Sequence, residues 1–587
     1  MAKYIYKKDI EDFFELEAEE SKAHWEATMK LFVEERIRKR KAIYPAYLDK
    51  DFCDCSDEGN SLLKVTFEQN LSDFKEGECL ILHREGINTG ISCTVNRFEG
   101  DNAIIIEVYG LTLQCDNLSL YHDIPLVLDK NMVDLREHVY YKFLAQLSSD
   151  NSFWMNLKLN TKPVPVFKDK AEMEVELEDT IANFHLSLLP QQREAIINSM
   201  AAEDYYLIQG PPGTGKSFVL SFVILEEIAY FNHKVIVIGP NHMAINNTLI
   251  QVAKNCSGYF SLLHKVGQTY NAPDYTMMID GEEKGINNYA RLNVWAANKA
   301  ECSWVMGLTP HSLYTSRARD LECDTLIIDE AGQMTIPLAL MGMIKANKVI
   351  FAGDHKQLPP IVSSEKVKEE LKQSVFQALI AEHNCTMLDT SFRMCKPICD
   401  FVSELFYDGQ LKAMKEGHGS GLICNEPLYS FDAPVVLCEV DDEGEQVSDK
   451  EAEFIANTIA GFIQKGVSAD EIAVLSPFRA QAANIRRAIR KHEGINEEDR
   501  QKIASDTIDK MQGQEREVIL YSLVSGDIDY MTEMAEFLYN PNKMNVAFSR
   551  AKSKLIIVGS LSKIASLELT DYPHIDRMLK SQYVTKI

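Results

Sequence analysis

The chain has 587 residues, 45% hydrophobic and 25% charged, with 61 lysines and arginines against 87 aspartates and glutamates, a formal net charge of −26. The length exceeds what one hydrophobic core serves, so roughly two to four structural units are expected, with the composition of an ordinary soluble protein. The acidic balance argues against a general affinity for nucleic acid and leaves room only for a local basic channel, while no apolar run is long enough to span a bilayer.

The opening segment "MAKYIYKKDIEDFFELEAEE" has no apolar signal core, so neither export nor a membrane partner is expected. Residues 8–42 predict one long helix, with Trp25, Met29 and Phe32 at i, i+4 and i+7 on one face. Its basic end, "RIRKRK", suits either the helix dipole or a phosphate. The thirteen cysteines are scattered, and the close pairs Cys53/Cys55 and Cys395/Cys399 lack a matching second pair at metal-site spacing. A reducing, cytoplasm-like compartment without a disulfide framework or structural metal is expected. The acidic clusters "DKDFCDCSDEG", "EMEVELED" and "DDEGEQ" predict solvated loops and faces.

From about 60 to 128, short β-rich runs ("LLKVTFEQ", "ECLILHRE", "GISCTVNRF", "NAIIIEVYG") are punctuated by glycines, which predicts a small antiparallel barrel. A helical, then Pro-containing stretch follows. From about 185 the apolar runs "YYLIQG", "KVIVIGP", "SWVMGLT", "DTLIIDE" and "KVIFAGD" predict a parallel sheet buried on both faces. After the polar stretch "SSEKVKEELKQ", a second set appears: "TMLDTSF", "PVVLCEV", "EIAVLSPF", "EVILYSLV" and "KLIIVG". The expected units are an N-terminal helix at 1–59, a barrel at 60–129, a helical connector at 130–184, and α/β domains at 185–362 and 363–587.

Gly210-Pro211-Pro212-Gly213-Thr214-Gly215-Lys216-Ser217 follows a predicted strand and precedes the apolar helix "FVLSFVILEEIAY". Glycines let successive backbone N–H groups turn inward onto phosphate, and the helix N-terminus favours an anion. Lys216 is placed to reach the β/γ-phosphates of ATP, and Ser217 to ligate Mg²⁺. "TLIIDEAGQ", about 110 residues later, delivers Asp329 and Glu330 at the carboxyl end of an apolar strand. Asp329 suits Mg²⁺, and Glu330 suits orienting or deprotonating an attacking water. Hydrolysis also needs positive charge on the transferring phosphoryl group. Arg393 in "TSFRMCKP" and Arg550 in "NVAFSRAKSKLIIVG" are candidates, against a plainer reading as surface salt bridges.

The ordered set "IQGPPGTGKS", "IIDEAGQ", "AGDHKQLPP", "SFRM", "SPFRAQ", "DKMQGQE" and "NVAFSRAK" resembles superfamily 1 helicases. More narrowly it resembles the Upf-like (nonsense-mediated-decay and immunoglobulin-mu-binding-protein) branch of superfamily 1B, from about Leu188 to Gly559. "FFELEAEE" and the barrel resemble that branch's stalk and inserted barrel. The resemblance implies an α/β fold of two tandem RecA-like parallel-sheet domains with N-terminal stalk helices, hydrolysing ATP with Mg²⁺. It makes Gln192 the adenine reader, with Gln191 as its competitor, and places Gln357 at the γ-phosphate on a turn shaped by Gly353 and Asp354. Arg393 and Arg550 become arginine fingers. Glu515 lies near the ribose and phosphate edge, with Gln512 and Gly513 linking that region to the next strand. Pro240, Asn241 and Thr309, and more weakly Pro477, Phe478 and Asp509, match positions along a nucleic-acid track. Each can also be read as strand-end packing.

The implied activity is ATP-dependent movement, 5′-to-3′, on single-stranded RNA or DNA. No cysteine/histidine-rich regulatory domain, C-terminal zinc finger or nuclease motif is visible, so partner proteins are expected to set the biological role. Two alternatives share the motifs: an ATP-switched clamp or ribonucleoprotein remodeller, and a regulatory ATPase subunit that never grips nucleic acid.

Overall fold

The computed structural model describes residues 5–587 apart from 53, 56–59, 69, 71, 85–89, 101, 109–120, 122, 148–161, 268–270, 280, 290–301, 316, 317, 319, 418–423 and 512. No helix among the described residues is long and apolar enough to cross a membrane.

The predicted N-terminal helix is two: Lys7–Met29 and Val33–Arg38. The break between them has a clear partner. Arg36, buried, reaches back to the Leu31 carbonyl at 2.6 Å and forms a two-toothed pair with Asp129 at 2.8 and 2.9 Å. Arg36 therefore pairs with a carboxylate rather than a phosphate, while it and Arg38 still occupy the last turn of the helix, and Phe32, expected on a packed face, is exposed. The amino half of the first helix packs elsewhere, with Ile10, Phe13 and Phe14 joining the core beneath the first parallel sheet.

The barrel is antiparallel and runs in the order Ala42–Leu48, Leu126–Lys130, Cys79–His83, Ile91–Phe98, Ala103–Val108 and Ser61–Phe67. It closes where Ala42–Leu48 also pairs with Ser61–Phe67, through Ala46↔Phe67. Closure removes the sheet edges that would otherwise invite pairing with another chain. The strand Ala42–Leu48 begins where the helix expected over 8–42 was to end, and lies inside the unit 1–59 assigned to that helix. A register shift between Ile43 and Ala46 breaks its period of two, so the core residues Ile43, Ala46 and Leu48 show no plain alternation in the sequence.

The first parallel sheet has eight strands in the order Asn287–Tyr289, Leu263–Val266, Trp304–Gly307, Lys234–Ile238, Cys323–Ile328, Ala346–Gly353, Tyr205–Gln209 and Cys385–Met387. The last of these was expected in the second domain. It pairs instead with Tyr205–Gln209 through Thr386↔Ile208, so the first sheet extends beyond residue 363. The second sheet, also all parallel, has six strands: Ala504–Thr507, Ile472–Ser476, Arg516–Ser522, Ala551–Gly559, Val435–Glu439 and Val584–Lys586. Each sheet has an apolar core on both faces, which accounts for its nearly uninterrupted apolar strands. The fold class is the expected one: mixed α/β, with two RecA-like parallel sheets and a small closed barrel.

Candidate functional site

The phosphate loop leaves the strand Tyr205–Gln209 and enters the helix Lys216–Ala229, a wide apolar element whose residues from Val219 to Ile228 are buried. Gly213 and Gly215 take φ of 73° and 81°, the left-handed region that glycine enters without steric cost. Gly213 also faces a close neighbour. A Cβ there would lie 2.5 Å from Arg393 Cβ and 2.8 Å from Ser391 Oγ. The strand Thr390–Cys395 is thereby seated directly on the loop: the Phe392 N–H donates to the Gly213 carbonyl at 2.8 Å, and Ser391 Oγ to that of Pro212 at 2.8 Å.

Gln192, near the start of the helix Pro190–Ala201, is 4% exposed and donates through Nε2 to the Thr214 carbonyl at 3.4 Å. Its Oε1 accepts from the Leu189 N–H at 3.1 Å, so the side chain is held against the loop from both ends.

Opposite the loop, Lys216 Nζ lies 2.6 Å from Asp329 Oδ1 and 2.7 Å from Glu330 Oε1. Asp329 is fixed by Thr248 Oγ1 at 2.7 Å and by the Glu330 N–H at 2.8 Å. Glu330 has a φ of 54°, an unusual region for a residue with a side chain, and Gln333 Nε2 donates to its second carboxylate oxygen at 3.1 Å. Two hard-oxygen carboxylates holding an ammonium between them form a donor set that fits a divalent cation, with the half-buried Ser217 next to Lys216.

The neighbouring turn, after the strand Ala346–Gly353, is packed backbone against backbone. A Cβ on Gly332 would lie 2.5 Å from the Asp354 carbonyl oxygen. Asp354, buried, accepts from Gln209 Nε2 at 3.1 Å, Gln357 Nε2 at 3.0 Å and the Tyr407 hydroxyl at 2.6 Å.

The second unit brings its arginines to this cleft. Arg393 Nε donates to Glu515 Oε2 at 2.5 Å, and NH1 to the Ser549 carbonyl at 3.1 Å. Arg550, 3% exposed, directs its guanidinium to the carbonyls of Val546 and Gln514 at 3.0 and 3.4 Å and to Gln357 Oε1 at 3.5 Å. Among the described residues no carboxylate is a hydrogen-bond partner of Arg550. Burial, and next the nearby Arg393, lower its pKa to about 9. Glu330 and Glu515 act against this shift, and an anion beside the guanidinium would do the same. Gly513, with φ 81°, is exposed, and Gln512 lies outside the described residues.

The track candidates fall into two groups, one per sheet. Pro240 and Asn241 follow the strand Lys234–Ile238, and Thr309 follows its parallel neighbour Trp304–Gly307. Pro240 and Asn241 are exposed, and Asn241 also caps the next helix by accepting from the Ala244 N–H at 2.9 Å. Pro477 and Phe478 follow Ile472–Ser476, and Asp509 follows the paired strand Ala504–Thr507. The Phe478 ring is 5.0 Å from that of Phe537, so part of its surface is spent on packing. All six occupy carboxyl-end positions of parallel strands, the edge where ligands bind in open α/β sheets.

Sequence reasoning missed Gln209, Thr248, Ser391 and Tyr407. Gln209 alone carried a signal, as a polar residue ending an apolar strand immediately before the loop.

Two family models, each described as an AAA domain, match residues 187–280 with 305–365, and residues 371–562. DNA polymerase alpha-associated DNA helicase A of Schizosaccharomyces pombe is 26% identical over 461 residues, covering 68% of this chain and 67% of that protein. The DNA replication ATP-dependent helicase/nuclease DNA2 of Saccharomyces cerevisiae is 28% identical over 414 residues, 64% of this chain and 26% of its own length. Regulator of nonsense transcripts 1 of Dictyostelium discoideum is 27% identical over 433 residues, 66% of this chain and 32% of its own. The chain thus spans two thirds of the first relative and about a third or less of the other two.

Proposed function

Because this chain belongs to the Upf-like superfamily 1 helicases and is an ATP-hydrolysing enzyme, we propose that it is a motor that moves 5′-to-3′ on single-stranded RNA or DNA. One observation carries this reading. Lys216, Asp329, Glu330 and Gln357 of the first unit share a cleft with Arg393 and Arg550 of the second, and Arg550 is buried there 3.5 Å from Gln357.

In this reading Lys216 leaves its two carboxylates to bind the β/γ-phosphates, and Gln192 reads the adenine. Ser217 and Asp329 would hold Mg²⁺, which would supply charge neutralisation there. Glu330, freed from Lys216, orients the attacking water and accepts its proton. Arg393 and Arg550 stabilise the charge that develops on the transferring group. Their contacts exist only while the terminal phosphate is in place, so binding closes the cleft and hydrolysis releases it. Pro240, Asn241 and Thr309 on one sheet, and Pro477, Phe478 and Asp509 on the other, grip sugar–phosphate without reading bases, as a motor on any sequence requires. The 5′-to-3′ polarity draws support from the barrel placed ahead of the first motor domain, as in the branch this chain resembles.

The test is the steady-state ATP hydrolysis rate without polynucleotide and then with single-stranded RNA, single-stranded DNA or duplex. Strong stimulation by single strands is expected, and a rate indifferent to every polynucleotide would contradict the reading in favour of a protein-regulated ATPase subunit.

A further inference from the structure

The turn carrying Gln357 is gripped from the second unit by side chains on two separate segments. Tyr407 directly follows the helix Lys396–Phe406, is buried, and donates its hydroxyl to Asp354 Oδ2 at 2.6 Å. The same oxygen accepts from Gln357 Nε2 at 3.0 Å. The Tyr407 oxygen in turn accepts from Asn545 Nδ2 at 2.8 Å. Asn545, fully buried, lies on the helix Pro541–Phe548, which leads into Arg550, and it also donates to the Lys356 carbonyl at 2.6 Å. Asn542, three residues earlier on that helix, donates to the carbonyls of His355, at 2.9 Å, and Gln357. Burial, and next the Asp354 charge, hold the Tyr407 phenol well above its ordinary pKa, so the hydroxyl keeps its proton.

We propose that Tyr407 is a positioning residue that couples Gln357 to the helix bearing Arg550. The inference rests on the reading of this cleft as the site of ATP hydrolysis. Gln357 and Tyr407 share one oxygen of a buried carboxylate. When Gln357 turns from Asp354 toward the terminal phosphate, that oxygen keeps a donor only because the Tyr407 hydroxyl is there. A buried carboxylate oxygen left unmet is costly, so without the hydroxyl Gln357 is held back on Asp354. The same hydroxyl accepts from the Arg550 helix, so the release of Gln357 and the advance of Arg550 become a single movement. Neither step is needed to bind nucleotide.

The experiment is a double-mutant cycle on steady-state ATP hydrolysis by the full chain, with Tyr407→Phe, Gln357→Ala and their combination. Tyr407→Phe should lower kcat about tenfold, with KM for ATP changed by less than about twofold, as expected for an interaction used only on the way to the transition state. The double variant should match Gln357→Ala alone, because without Gln357 there is nothing to release. Asn545→Ala provides an independent variant and should show the same split between kcat and KM. Ile459→Ala, a core truncation on the helix Asp449–Gln464 in a separate core cluster, should lower the thermal midpoint and leave kcat unchanged. Multiplicative effects in the double variant, a parent-like kcat in Tyr407→Phe, or an equal loss of kcat in Ile459→Ala would overturn the proposal. Every arm reads ATP hydrolysis without nucleic acid. A parent unaffected by polynucleotide would therefore contradict the motor reading and still leave the cycle decisive.

Discussion

Lys216 sits at 2.6 and 2.7 Å from two carboxylates. Burial alone would depress its pKa, but Asp329 and Glu330 outweigh that and hold the ammonium above its ordinary value. The lysine therefore remains a cation throughout the neutral range, and in exchanging carboxylates for phosphates it trades one set of anions for another. In the proposed reading Glu330 has a different task, since it must leave Lys216 before it can serve a water. These roles predict separable variants. Lys216→Ala should nearly abolish hydrolysis and weaken ATP binding, whereas Glu330→Gln should stop hydrolysis with the ATP Kd retained, as read by nucleotide-binding titration beside turnover. Arg550→Ala should keep the Kd and lose about 10³-fold or more in kcat, the scale of arginine fingers elsewhere. Equal loss of ATP affinity in the lysine and glutamate variants would contradict the division of labour. At this scale the sequence was most informative where function concentrates polar residues in short stretches. Lys216, Asp329, Glu330, Gln357, Arg393 and Arg550 were named from motifs and meet in one cleft. Tyr407, Asn542 and Asn545 were not, because a tyrosine or asparagine beside an apolar helix reads as ordinary packing, and their partners lie 53 to 189 residues away.

The element that presents Lys216 is the helix Lys216–Ala229, and its far end is anchored in the sheet by a buried ion pair. Glu227 accepts from Lys348 at 2.7 Å, Thr325 at 2.5 Å and His233 at 2.7 Å. Burial would raise this carboxyl, but Lys348, then His233 and Thr325, outweigh it and hold the pKa down at about 2. A folded-state pKa below the unfolded value of about 4.3 gives stability that is full above that value and is lost as pH falls toward 2. Lys348→Met removes the lysine and leaves the buried Glu227 with only Thr325 and His233, a loss of up to about 3–5 kcal/mol at neutral pH. The gap in thermal midpoint between parent and variant should be wide at pH 7 and should narrow below about pH 4, where Glu227 can take up a proton. A gap of equal size at pH 7 and pH 3 would show that the pair does not anchor the helix electrostatically. Elements of this kind were readable as long apolar runs. The strand Ala42–Leu48 was not, because a register shift between Ile43 and Ala46 breaks its alternation, and neither was the strand Cys385–Met387, which is too short to announce which sheet it joins.

At the scale of the whole molecule, two parallel sheets meet so that the carboxyl ends of one face residues preceding the strands of the other. The phosphate loop follows Tyr205–Gln209, while Glu515 and Arg550 immediately precede Arg516–Ser522 and Ala551–Gly559. In the proposed reading a nucleotide bound there changes the contact between the units and so drives their opening and closing. The net charge of −26 is compatible with a nucleic-acid track, because only a local strip has to attract phosphate. The central claim is directional movement on a single strand, and the most direct measurement is strand displacement from a duplex carrying a single-stranded tail at either its 5′ or its 3′ end, with ATP and with a non-hydrolysable analogue. The account predicts displacement from the 5′-tailed duplex alone, and only with hydrolysable ATP. Displacement solely from the 3′ tail would contradict the polarity, and displacement from neither, with ATP hydrolysis still stimulated by single strands, would replace the motor with an ATP-switched clamp.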